Sequence, residues 1–204
     1  MKWLARRASY DPVNYGFGVL RNAFSANPSG YANYNSGALA LCSDSQTYEK
    51  SSVSGTQDNY HTGALNSDNF ELACVALAEQ KAGDGTLIAY PGKYTLVVPP
   101  ALQREAVEIT ESELDPNTAN NNVNVYKGSA NVVVVPYLGT AGGGSDAYWF
   151  LMSPGHKLNF KWRTRPVFDK DIDFDTGVLK YSIVTDYIAG FSDWRCIIGS
   201  DGTT

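Results

Sequence analysis

The sequence is poor in the residues that most enzymes use for catalysis or metal binding. Its 204 residues include two histidines and three cysteines. Cys42, Cys74 and Cys196 lack the short spacings of a zinc site, and their odd number argues against a disulfide framework. His61 and His156 lie in loop-like stretches, and no Gly-x-Ser-x-Gly motif accompanies them. The sequence therefore predicts no catalytic, cofactor-binding or metal-binding residues, and we expect a protein that is not an enzyme.

Long apolar runs and charged residues are also scarce. No segment approaches the roughly 18 consecutive apolar residues of a membrane span, and the N-terminal residues lack the apolar stretch of a signal peptide. Charged residues make up 18% of the chain, and the net charge of −5 argues against a broad basic surface for nucleic acid. The 13 tyrosines are typical either of a surface covered by partners or of tyrosines placed in β-strands.

Two segments resemble ligand-binding motifs but lack the residues that the chemistry needs. The glycine-rich segment 139–145 has no lysine before Ser145, so it cannot act as a phosphate-binding loop, and it predicts a flexible hairpin connection. Asp169, Asp171, Asp173 and Asp175 alternate along the chain, but an EF-hand loop that began at Asp169 would have Phe174 and Lys180 at its sixth and twelfth positions. If this segment is extended, the four carboxylates share one face, which predicts a solvated or partner-facing edge.

The first half of the chain shows helical patterns. Residues 3–9 read as the end of a helix that stops near Pro12, followed by a shorter helix over residues 13–24. A stronger helix begins at Asp68, which we expect to be its N-cap in a capping box with Glu71, and it ends at glycines 83 and 85. Its apolar face contains Phe70, Cys74 and Leu77.

The second half combines short buried strands with one more helix. Residues 94–98 form a continuous apolar run, typical of a strand buried on both faces, and Pro99-Pro100 introduces a helix with Leu102, Ala106 and Ile109 on its apolar face. Further strands are predicted over residues 131–137, 147–152, 158–165, 178–190 and 196–198. This mixture predicts an α+β protein with antiparallel sheets.

An ordered series of these motifs resembles a known family. It comprises Leu65 to Lys81, Asp84-Gly85, the run Pro91-Gly-Lys-Tyr-Thr-Leu-Val-Val-Pro-Pro-Ala-Leu102, Asn124-Val-Tyr-Lys-Gly128, and the segments 132–137, 147–151, 158–162, 176–181 and 189–194. In this order and spacing they are similar to the major capsid proteins of tailed bacteriophages, above all to the branch of the Mu-like prophage major head subunit. Val125 stands where that family usually has proline.

The resemblance implies the Hong Kong 97 type of capsid fold, with a peripheral domain and an axial domain. Residues 1–92 would belong to the peripheral domain, 93–157 to the axial domain, 158–190 to a long β-hairpin that returns to the peripheral domain, and 191–204 to an axial C-terminal strand and tail. The family's N-terminal arm and extended hairpin have no counterpart here, so we expect a truncated chain that folds but does not build a normal shell alone.

The resemblance also implies a function and partners. We expect a structural subunit of an icosahedral phage capsid, located in the virion and, during assembly, in the bacterial cytoplasm. Other copies would form pentamers and hexamers, with scaffold, portal or decoration proteins as further partners, and packaged DNA would meet only the inner surface of the shell. Candidate interface residues are Asp169, Asp171, Asp173 and Asp175, expected near a local three-fold axis, and Asn120, Asn121 and Asn122. The alternatives are an encapsulin-type nanocompartment shell protein and a β-rich ligand- or carbohydrate-binding module.

Overall fold

A computed structural model describes residues 2–26, 31, 39–48, 54–90, 93–114 and 122–203. The described part contains three α-helices, which are α1 (Lys2–Arg21), α2 (Ser67–Ala78) and α3 (Gln103–Glu111). Its strands are β1 (Gln46–Thr47), β2 (Thr56–Gln57), β3 (Tyr60–His61), β4 (Tyr94–Val98), β5 (Ala130–Val134), β6 (Trp149–Met152), β7 (Leu158–Ile172), β8 (Leu179–Phe191) and β9 (Ile197–Ser200). Short 3-10 turns cover Pro100–Leu102, Pro136–Leu138 and Thr140–Gly142.

A five-stranded sheet with the order β3-β9-β6-β4-β5 organises the body of the protein. The pairs β4/β5 and β3/β9 are parallel, whereas β6 is antiparallel to both of its neighbours, so this sheet is mixed. Leu96, Val97 and Val98 of β4 are buried, as expected for a strand covered on both faces. The remaining strands form two separate antiparallel pairs, β1/β2 and β7/β8. The predicted α+β class is confirmed.

Each face of this sheet carries its own apolar core. On one face Val19 and Leu20 of α1 pack with Val97, Phe150 and Ile197. On the other face α2 and α3 pack together, and the expected apolar faces of both helices are confirmed by the burial of Phe70, Cys74, Leu77, Ala106 and Ile109. The second core therefore joins α2, which lies before the predicted domain boundary at residue 92, to elements that lie after it.

The predicted helix break at Asp11-Pro12 is wrong, because α1 is one continuous helix of 20 residues with Pro12 inside it. An internal proline removes one backbone hydrogen bond and costs about 3 kcal/mol. Burial of Pro12 itself and of Val19 and Leu20 on the following turns offsets that cost. None of the helices in the described ranges is long and apolar enough to cross a membrane.

Helix α2 begins and ends at residues other than those predicted. Its N-cap is Asn66, whose extended backbone and side-chain oxygen, 2.7 Å from the backbone nitrogen of Asn69, satisfy a free amide of the first turn. Asp68 instead lies within that first turn, where its charge interacts favourably with the helix dipole. The helix ends at Ala78, well before Gly83, because the chain turns back to pair Lys81 with Leu87.

Segment 139–145 is not the hairpin connection that the sequence predicts. Strands β5 and β6 both pair with β4, so the chain between them must cross the end of β4. Two 3-10 turns make this crossing, and Gly143 has a left-handed backbone, with φ of 85°. Arg21 at the end of α1 donates hydrogen bonds to the carbonyl oxygens of Tyr137 and Gly142, which fixes the crossing to the body of the protein.

Candidate subunit-interface surface

The hairpin formed by β7 and β8 exposes an unusual amount of apolar surface. It is a separate two-stranded sheet of 15 and 13 residues, with register shifts between Trp162 and Val167. Val167, Phe168 and Ile172 are 56%, 62% and 64% exposed, and Phe174 at the tip is 99% exposed. A two-stranded ribbon is marginally stable in water by itself. Its outer half therefore has the character of a surface that another molecule covers.

The register of the two strands defines the two faces of this hairpin. Tyr187 of β8 contacts Tyr15 of α1, and Ile183 and Leu179 lie on the same face of β8 as Tyr187. Their partners in β7 are Phe168 and Ile172, so we call this side the inner face. Successive side chains of a strand alternate between faces. The opposite side, the outer face, consequently carries the pairs Val167–Val184, Asp169–Ser182 and Asp171–Lys180, and nearer the base Lys161–Ile188 and Thr164–Asp186.

The inner face packs against α1 mainly through aromatic rings. Tyr187 of β8 lies edge-on to Tyr15 of α1 with a centroid distance of 5.2 Å, and it stacks on Phe160 at 5.6 Å. The packing is incomplete. A groove of about 440 Å³ beside Gly16 and Phe160 and another of about 610 Å³ beside Leu4 and Phe168 run between the helix and the hairpin. Apolar surface thus continues from the exposed strands into both grooves.

The four aspartates do not share one face, contrary to the prediction. Asp169 and Asp171 lie on the outer face, but β7 ends at Ile172, and Asp173 and Asp175 lie in the turn at the tip. The strand stops there because the backbone of Asp173 pairs with Val178 and Gly177, and Gly177 has φ of 66°.

Asp173 holds this tip turn together. Its carboxylate accepts a hydrogen bond from the backbone of Asp175 and forms an ion pair with Lys180. The pKa of Asp173 is lowered, chiefly by its bond with Lys180. The tip is therefore an ordered, acidic turn, whereas an extended edge was expected.

One of the three asparagine-rich interface candidates lies in the described part of the chain. Asn122 is exposed, beside Val123 and Val125, which are 75% and 84% exposed. Asn120 and Asn121 lie outside the described residues. The described part of this loop thus presents apolar as well as polar groups to solvent.

Sequence reasoning missed most of the apolar residues at these surfaces. The local pattern predicts a strand that ends at Arg165, and although the resemblance implies a hairpin over residues 158–190, neither identifies Val167 or Phe168 as exposed apolar residues. Charged residues occupy every second position from Lys161 to Asp171 except Val167, and this period of two is the signal that could have extended the strand. A second exposed apolar pair, Leu72 and Val75, lies on the outward side of α2.

The three cysteines are buried and His61 is half-buried, whereas His156 is exposed. All three cysteines are buried and free, and burial raises the pKa of Cys74 to about 12. The pKa of His61 is lowered, mainly by its burial. Within the described ranges no three or more His, Cys, Asp or Glu side chains are grouped so that they could hold a metal ion. The buried cysteines therefore contribute to packing. The surface most accessible to a binding partner is the β7–β8 hairpin.

The fold of this chain is similar to that of a solved capsid structure. The chain aligns along its full length with a solved structure described as the capsid of an empty GTA particle computed with C5 symmetry, with a TM-score of 0.51 and 13% identity, and it spans 66% of that chain. A virus-like particle from Pyrococcus furiosus aligns with a TM-score of 0.37 and 11% identity over 95% of this chain and 61% of the other. Comparison with curated proteins gave no match. The sequence model of the family described as phage capsid protein matches residues 7–200, and the chain therefore belongs to the phage capsid protein family.

Proposed function

We propose that this protein is a structural subunit of an icosahedral bacteriophage capsid, that it acts without catalysis, and that its site of action is the virion shell around the genome. The observation that carries the proposal is the β7–β8 hairpin, a long ribbon with apolar residues exposed on both faces. A shell subunit must form many contacts with its own copies, and contiguous exposed apolar surface is where such contacts form. We also propose that the protein belongs to the Mu-like branch of the family. Its further partners would be scaffold, portal or decoration proteins.

The fold suggests how the two capsid domains are assigned. We assign the five-stranded sheet and α3 to the axial domain, and α1 and the hairpin to the peripheral domain. Helix α2 shares one core with α3 and β4, so we place it in the axial domain as well. The loops at residues 122–125 and 139–145 would then face neighbouring subunits around the capsomer axis.

The acidic tip of the hairpin would contribute to contacts between subunits. Asp169, Asp171 and Asp175 are exposed, and Asp173 orders the turn that presents them. Basic residues of neighbouring subunits would meet these carboxylates, since opposite charges fix the register of an interface more than they add to its affinity.

Expression of the complete gene product, followed by electron microscopy, tests the proposal. We expect closed particles of uniform size from the wild type. Charge reversal at the tip, Asp171→Lys with Asp173→Lys, should prevent closed particles while the circular dichroism spectrum and the thermal midpoint stay close to those of the wild type. Lys180→Met, which disturbs the same turn without reversing a carboxylate, is the matched control and should still form particles. Wild-type protein that stays monomeric at all concentrations, or normal shells from the reversed variant, would contradict the proposal.

The genes beside the coding region distinguish the capsid from the encapsulin alternative. Portal, protease and terminase genes would support a phage shell, whereas a gene for an enclosed cargo enzyme would support a nanocompartment. A soluble monomer that binds sugars would instead support the ligand-binding module.

A further inference from the structure

The hairpin has a charge pattern that is complementary to itself. Basic residues occupy positions 161, 163 and 165, and acidic residues occupy positions 169, 171 and 173, at equal sequence distances from Val167. The half near the body, residues 158–166 and 184–191, contains three basic residues and Asp186, a net charge of +2. The outer half, residues 167–183, contains four aspartates and two lysines, a net charge of −2.

The structure places four of these six charged residues on one accessible face. Lys161, Asp169 and Asp171 belong to the outer face by register, and Arg163 reaches the same face, where it forms an ion pair with Asp186 at 3.3 Å. The side chain of Arg163 is nevertheless 86% exposed, so its guanidinium keeps donors for a further partner. Between the two charged halves lie Val167 and Val184, which are 56% and 60% exposed.

Only an antiparallel arrangement of two hairpins brings these opposite charges together. If two outer faces meet with their valines on a two-fold axis, positions on either side of the Val167–Val184 pair exchange partners. The register shifts place Lys161, which pairs with Ile188, four ladder positions from that pair, as far as Asp171 lies on the other side, so that Lys161 of one copy faces Asp171 of the other. At about 3.3 Å per residue, these contacts lie roughly 13 Å from the axis. The same residues of both copies then form the contact, which defines an isologous interface.

The backbone of β7 disfavours the alternative of joining two hairpins edge to edge. Pro166 has no N–H to donate to a neighbouring strand, and the register shifts between Trp162 and Val167 interrupt the regular ladder. Contact through the side chains of the outer face avoids both obstacles.

We propose that the outer face of the β7–β8 hairpin binds the same face of a second copy of this chain about a local two-fold axis, with Val167 and Val184 at its centre. This inference rests on the proposed function, because a shell brings copies of the hairpin together. It also names the basic partners of Asp169 and Asp171, and it replaces the three-fold arrangement that the resemblance implied with a two-fold one.

Disulfide cross-linking of the purified 204-residue chain tests the symmetry. The three native cysteines are buried, so mild oxidation reports on introduced ones. Val167→Cys lies on the axis and should give a disulfide-linked dimer. Val178→Cys is equally exposed, at 55%, but lies away from the axis and serves as the matched control. The double variant Lys161→Cys with Asp171→Cys should stop at a dimer, because both disulfides close within one pair.

A charge exchange tests whether the pattern itself drives the pairing. In the Val167→Cys background, Lys161→Glu with Arg163→Glu makes both halves acidic, and Asp169→Lys with Asp171→Lys makes both halves basic. Each variant alone should cross-link about tenfold less, the factor expected when several exposed ion pairs become like-charge pairs. An equimolar mixture of the two should recover the wild-type extent, now as a mixed dimer.

The outcomes separate this inference from the proposed function. Equal cross-linking at positions 167 and 178, a ladder of trimers and higher species from the double variant, or no recovery in the mixture would overturn the two-fold pairing. Closed particles from the complete gene product without the Val167→Cys dimer would leave the capsid function standing and refute the pairing alone. The Val167→Cys dimer without any particles would support the pairing and contradict the capsid function.

Discussion

Asn59 is a buried polar residue that ties together the irregular N-terminal third of the protein. It is fully buried, and its amide donates to the carbonyl oxygens of Leu41 at 2.9 Å and Ile197 at 3.2 Å, while its oxygen accepts from the backbone of Ser43 at 2.8 Å. One side chain thereby connects the loop at residues 41–43 to strand β9 of the central sheet. Composition alone predicts a surface loop for this Ser- and Asn-rich stretch, and no local pattern reveals which asparagine is buried.

We expect Asn59→Ala to destabilise the protein by about 3 kcal/mol, because several buried backbone groups lose their partners at once. Asn122→Ala, at an exposed asparagine, should change the free energy of unfolding by less than about 0.5 kcal/mol. Urea denaturation of both variants measures the difference. Similar values for the two substitutions would show that the buried network is not important for stability.

Asp173 provides a test of the tip geometry through its ionisation. Its pKa is lowered from 3.8, first by the hydrogen bond from Lys180 and then by that from the backbone of Asp175. A lowered carboxylate pKa means that this contact favours the folded turn above pH 3.8 and that its contribution is lost as the pH falls through the lowered value.

An NMR titration of the Asp173 carboxyl should give a midpoint below 3.8. Lys180→Met should move this midpoint upward, whereas Lys170→Met, which removes a lysine of the inner face, should move it less. A midpoint that is insensitive to Lys180 would contradict the ion pair and with it the ordered turn.

At the scale of elements, regular sequence patterns predicted those helices and strands whose apolar residues are buried in the structure. Strand β4 and helix α3 lie where an apolar run and a proline-introduced amphipathic pattern place them, because burial on the sheet and the periodicity of the sequence agree there. Helix α1 could not be predicted in the same way, since the burial that carries it through Pro12 comes from residues distant in sequence. The crossing at residues 139–145 was missed for a related reason, because the order of strands in a sheet is not a local property.

The start of α2 gives a prediction at this scale. Asn66→Ala removes the side chain that caps the helix and should lower the stability by about 1 kcal/mol. Asp68→Ala removes only a favourable charge in the first turn, worth about 0.3–1 kcal/mol, and should cost less. Thermal or chemical denaturation compares the two variants. A larger loss for Asp68→Ala would restore the capping box that the sequence suggested.

For the whole molecule, the central sheet and its two apolar cores account for stability. The β7–β8 hairpin, in contrast, carries apolar residues that have no packing role within a single chain. Phe168, Ile172 and Phe174 would be unfavourable on the surface of a protein that remains monomeric, because exposed apolar groups of this size promote association. The sequence indicated a long hairpin and an acidic partner-facing segment. It could not indicate that the hairpin would expose apolar side chains on both faces, because exposure depends on which side α1 covers.

A reconstruction by cryo-electron microscopy of particles formed by the complete gene product tests the central claim most directly. The account predicts closed shells in which the β7–β8 hairpin lies between subunits and the side chains of Val167, Phe168 and Ile172 are buried against neighbouring copies. Particles in which the hairpin projects freely into solvent, with these side chains still exposed, would contradict it.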